Sequence, residues 1–221
     1  MTPATSSAKL VRVVSYVDGF NLYFGLKESQ FERYLWLNLL RLSLELLKPG
    51  QQLCRVKYFT SRISRPEDKR KRQTNYLEAL GTLANFEIFE GQFLDKPKEC
   101  FGCHRTWLDH EEKMTDVNIA TQLLLDAFDD KFDTALVISG DSDLVPPIRA
   151  IRQRYPLKRI IAIFPPSRTS IELRKACHAA FPIGRANLAA SVFPDEVTKV
   201  DGYVLKRPPS WGPTDAEVAN S

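Results

Sequence analysis

"VVSYVDGFNLYFG" (residues 13–25) runs from an apolar, β-branched stretch straight into an acid, a glycine and an asparagine. Residues 10–18 read as a buried strand, with Asp18-Gly19 as the turn that follows it. Geometry alone explains Asp-Gly at a turn. A chemical explanation competes with it, because ligands of an open parallel α/β sheet bind at the carboxyl ends of its strands. The rest of the chain decides between the two.

Outward from this stretch, strands and helices alternate. Residues 34–47 have helical apolar spacing and stop at Lys48-Pro49-Gly50. Residues 52–63 read as a second strand, and a helix follows Pro66, with acids ahead of bases in its first turns. Residues 86–94 are a third strand, leading into an irregular segment with two close cysteines. A helix over 115–128, with Thr115 as its expected N-cap, precedes a fourth strand ending at Asp141. A helix from Val145, a fifth strand over 158–164 and a helix over 170–180 complete the pattern. This alternation predicts an α/β fold, a three-layer α/β/α sandwich around a mostly parallel sheet. The expected domain covers residues 10–185. Residues 186–221 form a C-terminal extension, ending in a flexible tail from Arg207.

The 221 residues suffice for one hydrophobic core without disulfide or metal staples. A net charge of +4 permits an anionic partner without requiring one. No run approaches the roughly 20 apolar residues of a membrane span. The polar N-terminus lacks the apolar region of a signal peptide, so the expectation is a soluble cytoplasmic protein without membrane partners.

Asp18 ends the first strand, Asp141 and Asp143 end the fourth in "VISGDSD", and Asp116 opens a helix whose preceding loop can reach the same edge. Each has a structural explanation: a turn, a helix dipole, a cap. Three such coincidences at one edge are less probable than a shared purpose. Crowded carboxylates raise one another's pKa or require a cation, and Mg²⁺ or Mn²⁺ prefers such oxygen ligands. An ion there can polarise a phosphodiester. Asn21 and Ser139 are placed to orient a carboxylate, a water or a phosphate oxygen.

In this order and spacing, "YVDGFNLYFG", "EEKMTDVNIATQLLLDAF" and "TALVISGDSDLVPPIRAI" resemble the NYN domain family of LabA-like proteins, within the PIN-like nucleases. The resemblance covers residues 10–185. It implies a PIN-like, Rossmann-like sheet, a divalent-metal site, and hydrolysis of phosphodiesters with RNA as substrate and partner. On matching positions, Asp18 is the first acidic ligand and Asn21 its polar companion. Asp116 is the central acid, and Asp141 with Asp143 the closing pair. The insert around "CFGCHRTW" departs from the minimal pattern.

Arg62, Arg65, Lys69, Arg70, Lys71 and Arg72 follow the second strand and are placed to guide a phosphate backbone, with Arg168 and Arg174 as a second set. A solvated helix face, part-neutralised by Glu67 and Asp68, is the competing reading. Tyr23, Phe24 and Trp107 are candidates for base stacking, although aromatics more often fill cores. Cys100 and Cys103 have the spacing of half a structural Zn²⁺ site. His104, His110, Cys177 and His178 complete it only if the fold gathers them, and a metal-free thiol pair is the preferred expectation. The leading expectation is thus a metal-dependent ribonuclease. The alternative is a non-catalytic RNA-binding regulator that keeps the nuclease fold. A haloacid-dehalogenase-type phosphatase is disfavoured because Phe20 stands where a second Asp belongs. A homodimer is compatible with the sequence, which does not specify it.

Overall fold

The computed structural model describes residues 9–99 and 101–212, and of residues 93–97 and 107–113 the backbone alone. Strand β1 (Val11–Asp18) is central because it is apolar on both faces. Val13 and Val17 enter one core, and Val14 and Tyr16 the other. It pairs in parallel with β2 (Gln51–Ser61) on one side and β5 (Thr134–Ile138) on the other. Beyond β2 lies β3 (Phe86–Glu99), and beyond β5 lie β6 (Arg159–Phe164) and β7 (Ala179–Pro182), all parallel. Strand β4 (Thr106–Lys113) adds antiparallel to β3 at the edge. The order β4-β3-β2-β1-β5-β6-β7 reverses direction between β1 and β5.

One face carries α1 (Gly19–Glu28), α2 (Leu39–Glu45) and α3 (Glu67–Leu80); the other carries α4 (Thr115–Phe128), α5 (Val145–Arg154) and α6 (Ile171–Ala176). The three-layer α/β/α arrangement is therefore the one expected. Tertiary contacts redraw several local elements. The leucine-rich run 34–47 is helical only from Leu39, where Asn38 caps α2 by accepting from the Arg41 N–H at 2.9 Å. Ahead of that cap, Leu37 forms a β-bridge with Val192, and Trp36 Nε1 donates to the Pro194 carbonyl at 2.8 Å. Thr115 is the first residue of α4 rather than its cap; Met114, at φ 78°, precedes it. The segment read as irregular is the β3–β4 hairpin, and the helix expected over 170–180 stops at Ala176 to let β7 join the sheet.

The C-terminal stretch differs most from expectation. Helix α7 (Arg185–Ala190) and the β8 (Glu196–Thr198)–β9 (Val204–Lys206) hairpin pack on the α2–α3 side. Trp211, within the segment read as a flexible tail, is buried. Its ring lies 5.8 Å from Tyr76 and 6.5 Å from Trp36, centroid to centroid. Large aromatic burial of this kind is the strongest single contribution a side chain makes to a core. Residues 213–221 lie outside the described residues.

Candidate active site at the sheet's switch point

Register brings the first two acidic segments together. Val17 of β1 sits opposite Ile138 of β5, so Asp18 and Ser139 leave the sheet side by side at the point where strand order reverses. In sheets of this class that crevice is where ligands bind.

Asp18 is 4% exposed. Its Oδ1 accepts the Asn21 backbone N–H at 3.0 Å, capping α1, and its Oδ2 accepts the Ser139 hydroxyl at 2.8 Å. Ser139 Oγ in turn accepts the Asp141 N–H at 3.0 Å. Asn21 Oδ1 accepts the Gly140 N–H at 2.8 Å, tying α1 to the loop after β5. Asp141 Oδ1 accepts the Asp143 N–H at 2.8 Å and caps the short 3₁₀ turn Ser142–Leu144. Ser139 thus orients a carboxylate, whereas Asn21 Oδ1 holds a backbone loop in place of the carboxylate, water or phosphate expected of it. Gly19 permits the close approach, since a Cβ there would stand 2.6 Å from the Phe59 carbonyl oxygen and from the Tyr58 hydroxyl.

Electrostatics links the acids. Burial pushes the Asp18 carboxyl up to about 6, against the lowering effect of its two hydrogen bonds; the charges of Asp116 and Asp141 add to the rise. Asp116, in the first turn of α4, is raised by burial and then by Asp141 and Asp143. Four carboxylates from three segments therefore share one field. Among the described residues no group of three or more His, Cys, Asp or Glu side chains forms a ready-made metal cage. The donor set fits a hard ion that keeps waters and takes only one or two protein carboxylates, rather than an all-protein cage.

The basic residues divide sharply. Arg62 is held by Glu90 through two hydrogen bonds of 2.7 Å. Arg70 and Lys71 lie beside Glu67, and Arg72 pairs with Asp68 at 2.8 Å. Arg168 pairs with Glu28, and Arg174 stacks over Phe164. Arg65 and Lys69 are exposed and have no acidic partner among the described residues. Most of the expected phosphate guide is thus already committed to protein carboxylates.

Cys103 is exposed and His104 pairs with Glu99 at 2.6 Å. Cys177 is buried, its thiol pushed up to about 11 by desolvation, and His178 Nδ1 accepts the Ile160 N–H at 3.0 Å. Cys100 and the side chains of Trp107 and His110 lie outside the described residues.

Residues 12–184 match the NYN domain, a span that takes in all of the parallel sheet but Val11 and includes all four acids. The chain belongs to the NYN domain family. The NYN domain is a PIN-like nuclease family, and the mostly parallel sheet with helices on both faces is consistent with that fold. A 6-hydroxy-3-succinoylpyridine 3-monooxygenase of Pseudomonas putida (strain DSM 28022 / S16) is 30% identical to this NYN protein over 178 residues, 64% of this chain and 56% of that protein. The chain spans about half the length of this curated relative. The crystal structure of a protein of unknown function from Vibrio parahaemolyticus RIMD 2210633 superposes with a TM-score of 0.54 at 18% identity, over 85% of this chain and 99% of that one. That likeness extends the shared fold to a second protein. Among the described residues of the NYN protein, no helix is long and apolar enough to cross a membrane.

Sequence reasoning missed an aromatic cavity beside Asp18, because its walls come from α1, β2, α3 and Trp211. The basic residues after β2 and the stacking candidates Tyr23 and Phe24 pointed toward it, since Arg65, Lys69, Arg72 and both rings line it.

Proposed function

We propose that this protein is a divalent-metal-dependent ribonuclease whose site comprises Asp18, Asp116, Asp141 and Asp143. The observation carrying this reading is the shared electrostatic field of four carboxylates at the switch point of a nuclease-family fold. One or two of these acids would hold Mg²⁺ or Mn²⁺, which would supply Lewis acidity toward a phosphodiester and an acidified water when bound. The chain's own residues do the positioning. Ser139 fixes Asp18 Oδ2 and orders the Asp141 backbone, while Asn21 locks the loop carrying Asp141 onto α1. Uncompensated, the four charges repel, which leaves the site receptive to a cation and repulsive to phosphate.

With Mn²⁺ or Mg²⁺, purified protein should cleave RNA, and Asp141→Asn should reduce the rate at least about a hundredfold, the scale of a lost transition-state electrostatic group. Equal trace activity in wild type and variant sinks the assignment. Salt-dependent RNA binding without cleavage favours the RNA-binding regulator instead.

A second reading has its own observation. The Pseudomonas relative is named a 6-hydroxy-3-succinoylpyridine 3-monooxygenase, and aromatic side chains line the cavity beside Asp18. Oxygen uptake with that pyridine and an electron donor, unaffected by Asp141→Asn, would favour it over the nuclease.

A further inference from the structure

The cavity beside Asp18 has a volume of about 340 Å³, at the small end of the range for ligand sites. Its lining is largely apolar and aromatic, with Tyr23, Phe24, Tyr58, Tyr76 and Trp211 among the walls. The walls are held from behind. Tyr76 donates its hydroxyl to the Leu37 carbonyl at 2.7 Å, and Trp211 packs edge-on against the Tyr76 ring. The Gln73 side chain spans the β2–α3 connection, donating to the Ser61 carbonyl at 2.9 Å and accepting the Ile63 N–H at 2.8 Å. Walls braced in this way lower the entropic cost of ordering a site around a ring.

Three features connect it to the acids. Gly19, directly after Asp18, forms part of its wall, so the cavity lies at the same sheet edge on the α1–α3 face. Phe24, 43% exposed, presents an accessible ring among its lining residues. Arg65 and Lys69, the two cluster cations without acidic partners among the described residues, also line it. An aromatic interior under a positive rim matches a planar ring carrying an anionic group.

We infer that this cavity is a nucleobase subsite: it takes one unstacked base of single-stranded RNA next to the bond to be cut, with Arg65 and Lys69 on its phosphate. The choice of RNA as the source rests on the ribonuclease reading. Stacking on aromatic faces gives affinity with little sequence preference, and rim cations add the salt-dependent part. A strand lying across the edge from α3 toward α4 has its base on the α1–α3 face and its backbone over the carboxylates.

The test is calorimetric titration of full-length protein in EDTA with AMP, ribose 5-phosphate and pyridine-3-carboxylate. AMP should bind at least tenfold more tightly than ribose 5-phosphate, which has no ring. Phe24→Ala and the double variant Arg65→Glu/Lys69→Glu, all at exposed positions, should each weaken AMP about tenfold or more. Asp141→Asn should lose cleavage without weakening AMP, since in EDTA it only lessens the repulsion of phosphate, and this separates the subsite from the nuclease chemistry. AMP binding with the predicted variant pattern, in a protein that cuts no RNA, removes the nuclease reading and supports the nucleotide subsite. AMP affinity untouched by both rim and Phe24 variants, or no better than ribose 5-phosphate, overturns the inference. Pyridine-3-carboxylate binding more tightly than AMP overturns it too, in favour of a small aromatic acid.

Discussion

Asp18 and Asp133 sit at opposite ends of the β1–β5 pair, and their surroundings push them in opposite directions. Asp18 is buried, and desolvation carries its carboxyl up to about 6. Asp133 receives the Arg12 backbone N–H at 2.8 Å and the Arg12 guanidinium, which hold it down to about 2. The first is a poised site; the second is a clasp at the sheet's other end. Because Asp133 is depressed in the folded state, its contribution is full above pH 3.8 and is lost as pH falls through about 2. Its side chain is 38% exposed, so screening limits that contribution to about 1 kcal/mol or less. Urea unfolding should therefore show Asp133→Asn less stable than wild type at pH 6, with the gap closing toward pH 2. A gap that persists at pH 2 assigns the effect to packing instead of charge.

At the scale of elements, α4 must be registered on the sheet for Asp116 to reach the edge. A buried polar network beneath it supplies that register. Lys57 of β2 approaches Asp126 of α4 at 2.7 Å and Gln122 at 2.9 Å, while the Tyr16 hydroxyl of β1 donates to Asp126 at 2.5 Å. Lys57 and Asp126 are only 7% and 6% exposed. Removing one partner strands the other charge in the interior, at a cost of about 3–5 kcal/mol. Asp126→Ala should thus lower stability by that amount in denaturant unfolding, and Lys57→Met/Asp126→Leu should recover much of it. A double variant as unstable as the single one means the ion pair itself, beyond its desolvation, is stabilising.

At the scale of the whole molecule, the C-terminal extension closes the α1–α3 face. Trp211 bridges Trp36 and Tyr76, and Phe193 lies 5.7 Å from Trp36. Trp211→Ala should cost about 3–5 kcal/mol, read as a drop in thermal midpoint. It should also weaken AMP in the titration above, since Trp211 is one wall of the cavity. An unchanged midpoint would show that this ring is not part of the core.

The parallel sheet and the four acids were legible in the chain because both are local signals. Apolar runs such as 13–17 and 134–138 declare strands by composition, and an acid directly after such a run marks a carboxyl end. Elements with a weaker local signal were decided by distant partners. Helix α2 begins late because Leu37 is taken by Val192, and β7 forms because β6 offers a free edge to residues 179–182. The commitment of Arg62 to Glu90, the clasp of Ser139 on Asp18 and the cavity against Trp211 each join residues from separate segments. Sequence alone determined which acidic residues the strand ends carry, because that depends on neighbours along the chain. Only tertiary structure decided which charges remain free and where a ring can enter, because pairing and enclosure depend on neighbours in space.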